Sequence, residues 1–92
     1  MSCIVNVMER LVEETLEDIL KANKDTFCGC RRCRLDTAAI ALNNLSPAYV
    51  VTEEGEILLR TNSLRQQFKV DIIKAVTEAL ALVRKNPHHE RE

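Results

Sequence analysis

Cys28, Cys30 and Cys33 fall within six residues of one another, in the run Cys28-Gly29-Cys30-Arg31-Arg32-Cys33-Arg34-Leu35-Asp36. Cys30-x-x-Cys33 has the spacing of a zinc knuckle, in which a tight turn brings two thiolates toward one ion. Cys28 lies two residues upstream, and in an extended segment side chains two apart share a face. Gly29 between them relaxes the backbone. Three sulfurs can therefore converge on one point. A structural zinc takes four ligands. Cys3 is the first candidate for the fourth, with His88 and His89 behind it and a partner chain as a further source. A second CxxC is absent, so the motif is only half of the full paired pattern. Two other uses of these cysteines compete. A reduced Cys packs as a small hydrophobe, and CxxC also serves redox chemistry, although no βαβ pattern surrounds this one.

Arg31, Arg32 and Arg34 are interleaved with the thiols. Positive charge near a helix start is unfavourable, because that end of the macrodipole is itself positive. A metal bound by three or four thiolates is net negative and can balance the guanidinium groups. Alternatively, the arginines form an anion-binding patch beside a helix N-terminus, suited to phosphate or a nucleotide.

Catalytic patterns are missing. The chain has no Ser-His-Asp order, no Gly-rich phosphate loop and no HExxH, and no base is placed by motif beside an open metal position. We expect a protein that is not an enzyme. A formal net charge of −1 argues against a general field for nucleic acid. Phe27, Tyr49 and Phe68 are the only aromatics, which leaves little for base stacking. No run is long and apolar enough to span a bilayer, and Met1-Ser2-Cys3-Ile4-Val5 does not read as a secretory signal. A cytoplasmic location is expected, where reduced cysteines more often bind metal than pair.

The elements that must position the cluster follow from periodicity. Asn6 can cap a helix reaching Ala22, with Glu9 as capping-box partner and Val5 as staple. Its apolar stripe is Met8, Leu11, Val12, Leu16, Ile19 and Leu20. Glu9, Glu13, Glu14, Glu17 and Asp18 crowd the other faces, as a solvated surface or as a docking face for a basic partner. Asn23 to Thr26 read as a loop. A second helix is expected from Cys33 or Leu35 to about Leu45, with Leu35, Ala38, Ala39, Leu42 and Leu45 as its stripe. Asp36 would lie in its first turn, and Ser46-Pro47 would end it. Tyr49 to Thr52 has strand composition, Glu53-Glu54-Gly55 is a turn signal, and Glu56 to Arg60 would be the return strand of a hairpin. A long helix follows from Ser63 to Arg84. Leu64, Phe68, Ile72, Val76, Leu80 and Val83 mark its buried face, and Val70, Ile73, Ala79 and Leu82 widen it. That face is broad for a chain of 92 residues, so part of it is expected to meet another protomer. Asn86-Pro87 stops the helix.

The chain resembles the late competence development protein ComFB family. The resemblance rests on Val5-Asn6-Val7-Met8-Glu9, on the cysteine–arginine run, on Ala39 through Thr52, on Gln67 to Ile72 and on Val83 to His88. It implies a small, mostly helical, cytoplasmic homodimer that holds zinc through Cys28, Cys30 and Cys33. Some of the family are associated with cyclic di-GMP as receptors. That gives Arg31, Arg32 and Arg34 a role on phosphates and guanine, with Asp36 on a guanine edge and Arg60 and Arg65 contributing. The expected architecture is a mostly α, three-helix single domain over residues 1–92, with a small β-hairpin before the last helix, stapled by zinc and homodimeric. Two functions stand: a nucleotide-sensing dimer acting through a protein partner, or an interaction adaptor with no small ligand.

Overall fold

A computed structural model describes residues 3–51 and 62–86, apart from the side chains of residues 62–65 and 67. Among the described residues five elements run in order: strand β1 (Ile4–Asn6), helix α1 (Val7–Ala22), helix α2 (Arg31–Asn43), strand β2 (Tyr49–Val51) and helix α3 (Asn62–Lys85). The described residues are thus mostly helical, three helices with one small antiparallel pair of strands.

Asn6 caps α1, as its side-chain chemistry predicts. Its Oδ1 accepts from the Met8 amide at 3.1 Å. The same oxygen also accepts from the Ala48 amide at 2.9 Å, and the Val7 amide donates to the Ala48 carbonyl at 2.9 Å. One short side chain therefore starts a helix and ties it to the segment entering β2. The strand composition of Tyr49-Val50-Val51 is realised, and among the described residues it pairs antiparallel with Ile4–Asn6, in the register Ile4 with Val51, Val5 with Val50 and Asn6 with Tyr49. Three apolar-leaning residues ahead of a cap give too short a signal to read as a strand; pairing with a distant segment makes them one. The proposed turn at Glu53 to Gly55 and return strand at 56–60 lie outside the described residues.

The core forms where the helices meet. Met8, Leu11, Val12 and Leu16 of α1 face Ala41 of α2 and Ile72, Ala75, Val76, Ala79 and Leu80 of α3. The α1 stripe matches its periodicity, with Val7 also buried and Ile19 and Leu20 partly so. On α3 the buried face is narrower than its apolar residues suggest. Val70, Ile73 and Leu82 are exposed, at 76%, 41% and 50%.

On α2 the face is rotated from expectation. Cys33, Thr37 and Ala41 are buried at the i, i+4, i+8 spacing of one helical stripe, whereas Leu35 is 53% exposed and Ala39 is exposed. Small residues on this stripe let α3 approach closely, and leucines there would hold it off. Thr37 survives burial because its hydroxyl donates to the Cys33 carbonyl at 2.7 Å. The helix ends at Asn43, with the Asn44 amide donating to the carbonyls of Ala41 and Leu42.

Candidate metal centre

The cysteine run makes the start of α2. Cys30 is its N-cap, in extended conformation, and its Sγ accepts from the Cys33 amide at 3.5 Å. Cys28 Sγ accepts from the Cys30 amide at 3.5 Å. A sulfur here does the capping task usually given to Ser or Asn. That is why the helix starts at Arg31, earlier than the expected Cys33 or Leu35. Asp36 consequently falls in the second turn, and the first turn holds no acidic residue. Gly29 has no positive φ, and a Cβ built there meets no atom within 4 Å. Its backbone freedom is thus not what shapes the turn.

The ligand atoms of Cys28, Cys30 and Cys33 all lie within 4.8 Å of one another. The first is exposed, the second half-buried and the third buried. All are thiols rather than disulfides. A tetrahedral ion bound to thiolate at 2.3 Å puts its sulfurs about 3.8 Å apart, so a small contraction completes three-fourths of such a shell. Soft thiolate donors select the ions that prefer sulfur. The amides aimed at Cys28 and Cys30 stabilise sulfur that carries negative charge. The trio therefore can hold a metal ion.

Its electrostatics without metal are unfavourable. Burial pushes the Cys33 thiol up to about 12, helped by hydrogen bonds with Cys30 and Cys28 and by the charge on those neighbours. Three sulfurs so close cannot all ionise. A divalent cation reverses this, since a coordinated thiol is deprotonated outright.

Cys3 does not join the trio. It is exposed and precedes β1. β1 is bound to the chain just beyond the Asn43 end of α2, whereas the sulfurs occupy the Arg31 end. Thirteen helical residues, about 20 Å of helix, separate those ends. Among the described residues the gathered thiols are those of Cys28, Cys30 and Cys33, without Cys3.

The arginines separate into two groups. Arg32 pairs with Asp36 one turn on, Nε to Oδ1 at 3.1 Å, on the exposed side of α2. Arg31 and Arg34 instead line a groove of about 460 Å³ between α1 and α2, and Arg34 makes an ion pair with Glu17. Leu16, Leu35, Ala38 and Leu42 form the groove's apolar walls, and Glu9 and Glu13 its opposite rim. Glu9 and Glu13 were legible only as part of an acidic face; with Glu17 they form an i, i+4, i+8 ridge toward α2. Arg60, and the side chain of Arg65, lie outside the described residues.

A mostly helical domain with thiols gathered at the N-terminus of α2 is the class of protein these features define. The family model for the late competence development protein ComFB matches residues 5–87. The chain belongs to that family. No curated protein matches it. Among solved structures it is similar to the late competence protein ComFB from Bacillus subtilis, at 26% sequence identity and a TM-score of 0.75, over 94% of this chain and 93% of that one.

Proposed function

We propose that this protein is a non-enzymatic, homodimeric zinc protein that binds cyclic di-GMP in the α1–α2 groove and signals through a protein partner. The observation that carries the reading is the groove's pair of unlike rims. Arg31 and Arg34 on one side offer donors to phosphate and to the O6 and N7 acceptors of guanine. Glu9 and Glu13 on the other accept from the N1 and N2 donors of a guanine edge. The leucines between them give the base an apolar surface, and the volume lies within the range of small-molecule sites. Zinc at Cys28, Cys30 and Cys33 fixes the start of α2, and with it the direction of both arginines. The exposed Val70, Ile73 and Leu82 supply apolar surface for a second protomer.

Calorimetry with cyclic di-GMP tests the ligand. Binding is expected to weaken about tenfold or more in Arg31→Ala and in Arg34→Ala, since a charged hydrogen bond contributes about 1.5–3 kcal/mol. Arg32→Ala, outside the groove, is expected to bind as the wild type does. No heat with wild-type protein across several cyclic dinucleotides would remove the receptor reading.

The second reading, an adaptor without a small ligand, is favoured by the Arg34–Glu17 ion pair, which already employs one of the groove's cations. Light scattering of wild type and Val70→Asp checks the dimer: a monomeric wild type sinks it.

A further inference from the structure

The cysteine trio can do chemistry of its own besides holding an ion. Its sulfurs lie within 4.8 Å of one another, and all are thiols. A turn about one Cα–Cβ bond, from one staggered well to the next, moves a sulfur by about 3 Å. Side-chain rotation alone thus brings two of them toward bonding distance. The three are not equivalent. Cys28 is exposed, Cys30 is half-buried and Cys33 is only 2% exposed. A small oxidant arriving from water therefore meets the Cys28 sulfur first. The Cys30 amide donates to that sulfur at 3.5 Å and fixes its direction. Cys33 makes side-chain hydrogen bonds with both Cys28 and Cys30. A second observation singles out one pair. A cavity of about 190 Å³ is bordered by Cys28 and Cys33, with Phe27 beside them and Leu80 and Val83 of α3 opposite, and Cys30 does not border it. A water takes about 30 Å³ of liquid, so the cavity has room for a molecule of the size of hydrogen peroxide with both sulfurs on its wall.

We propose that Cys28 is a site of oxidation by hydrogen peroxide and that Cys33 resolves it, closing a Cys28–Cys33 disulfide at the start of α2. In the first step the Cys28 sulfur attacks one peroxide oxygen. The O–O bond breaks, one water leaves, and Cys28 becomes a sulfenic acid. In the second step the Cys33 sulfur attacks Cys28 Sγ. The S–O bond breaks, the S–S bond forms, and the hydroxyl leaves as a second water with the Cys33 proton. Two thiols are oxidised to one disulfide, and one peroxide is reduced to two waters. The disulfide takes two of the three thiolate donors, so an ion held by the trio is released. The oxidation depends only on where the sulfurs lie; the release of an ion rests on the metal reading above.

Peptide mapping of the whole reduced chain after brief exposure to hydrogen peroxide tests it, with chelator and with zinc. Remaining thiols are alkylated before trypsin is added. Trypsin cuts after Lys24, Arg31, Arg32 and Arg34, so a Cys28–Cys33 bond joins peptide 25–31 to peptide 33–34. A Cys28–Cys30 bond stays inside peptide 25–31. Cys3, exposed and outside the trio, is the internal control. In chelated wild type Cys28 is expected to lose its thiol at least about tenfold faster than Cys3, since reactivity follows the microenvironment of each thiol. The joined peptides are expected to persist in Cys30→Ser, which removes the rival Cys30–Cys33 pair. Cys33→Ser is expected to stop at a Cys28 sulfenic acid that dimedone captures. A Cys28 no faster than Cys3, or a link inside peptide 25–31, or a link lost in Cys30→Ser, would overturn the proposal, and the first two need no variant. Zinc uptake by the reduced wild type, followed with a metal indicator, is scored separately. Uptake without the disulfide leaves the metal reading standing and ends this one; the disulfide without uptake does the reverse.

Discussion

The two ends of α2 solve the same problem with different atoms. At its far end the chain runs on to Ala48, whose amide meets Asn6 Oδ1 at 2.9 Å. That oxygen also caps α1. These are neutral hydrogen bonds of ordinary length, complete in themselves. At the near end the acceptors are sulfurs at 3.5 Å, the surrounding charge is three arginines, and the buried thiol resists ionising. An oxygen cap needs nothing more. A sulfur cap of this kind becomes strong only when the thiols lose their protons, and a metal ion is what takes the protons away. One end of the helix is thus finished by the chain, and the other carries three thiols that can hold an ion.

Breaking the ion's end is expected to have the largest effect. Chelation should lower the melting temperature more than any single substitution away from the cysteines, because structural metal energy is folding energy. Hydrogen exchange should locate the loss: amides of the first turns of α2 and the preceding loop should exchange early, while those of α1 remain protected. Equal melting curves with and without chelator would end the comparison.

The apolar core comes next. Met8 is 2% exposed, and Met8→Ala is expected to cost about 2–5 kcal/mol in chemical denaturation. The cost should be similar with and without metal, since Met8 belongs to the end that needs none. A strong dependence on metal would show that the two ends are not independent.

Asn6→Ala removes a cap and leaves the Ala48 amide without its acceptor. A loss of about 2 kcal/mol is expected, the upper part of the capping range. Asn6→Asp, which keeps an acceptor, should recover most of it. Equal losses in the two variants would mean that the shared oxygen is not what joins the strand pair to α1.

These particulars show what was readable in advance. Asn6 as a cap, the α1 stripe and the cysteine trio are local signals, set by residue type and spacing within a few positions. The orientation of α2 was not, because a cap made of sulfur carries no familiar signature and Leu35 seemed the natural inward residue. Cys33, Thr37 and Ala41 face inward instead, since small side chains suit the close approach of α3. The pairing of β1 with β2 was equally hidden. It joins segments over forty residues apart, and nothing in either one names the other. Arg32 and Asp36 were read for their chemistry alone; the ion pair between them, one turn apart on α2, was not read from the spacing.

The pH dependence sharpens the contrast further. The metal-free Cys33 thiol is raised from an ordinary 9.0 to about 12. A raised value means that the folded state favours the protonated form. That contribution is fully present below pH 9 and is lost as pH rises through 12. Metal-free protein should therefore lose about 1 kcal/mol per pH unit above pH 9, measured by denaturant titration at several pH values. Metal-bound protein, with the thiol already deprotonated, should lack this slope. The opposite slope in the metal-free form would mean that Cys33 is not buried as a neutral thiol.

The smallest expected effect is the most selective. Arg32 occupies the first turn of α2, where its charge opposes the helix dipole by about 0.3–1 kcal/mol. Its exposed pair with Asp36 returns a similar small amount, and the basic residue standing N-terminal to the acidic one is the weaker orientation. In metal-free protein the two terms nearly cancel, so Arg32→Ala should change stability by less than about 0.5 kcal/mol. In metal-bound protein a third term enters. Three thiolates around a divalent ion leave a net negative charge close to that first turn, and Arg32 then stabilises it. The same substitution should weaken metal binding by a few-fold, with the loss fading as salt screens the exposed charges. Competition titrations at low and high ionic strength measure it. An effect that is equal with and without metal would show that the arginines answer to the helix alone and not to the ion at its end.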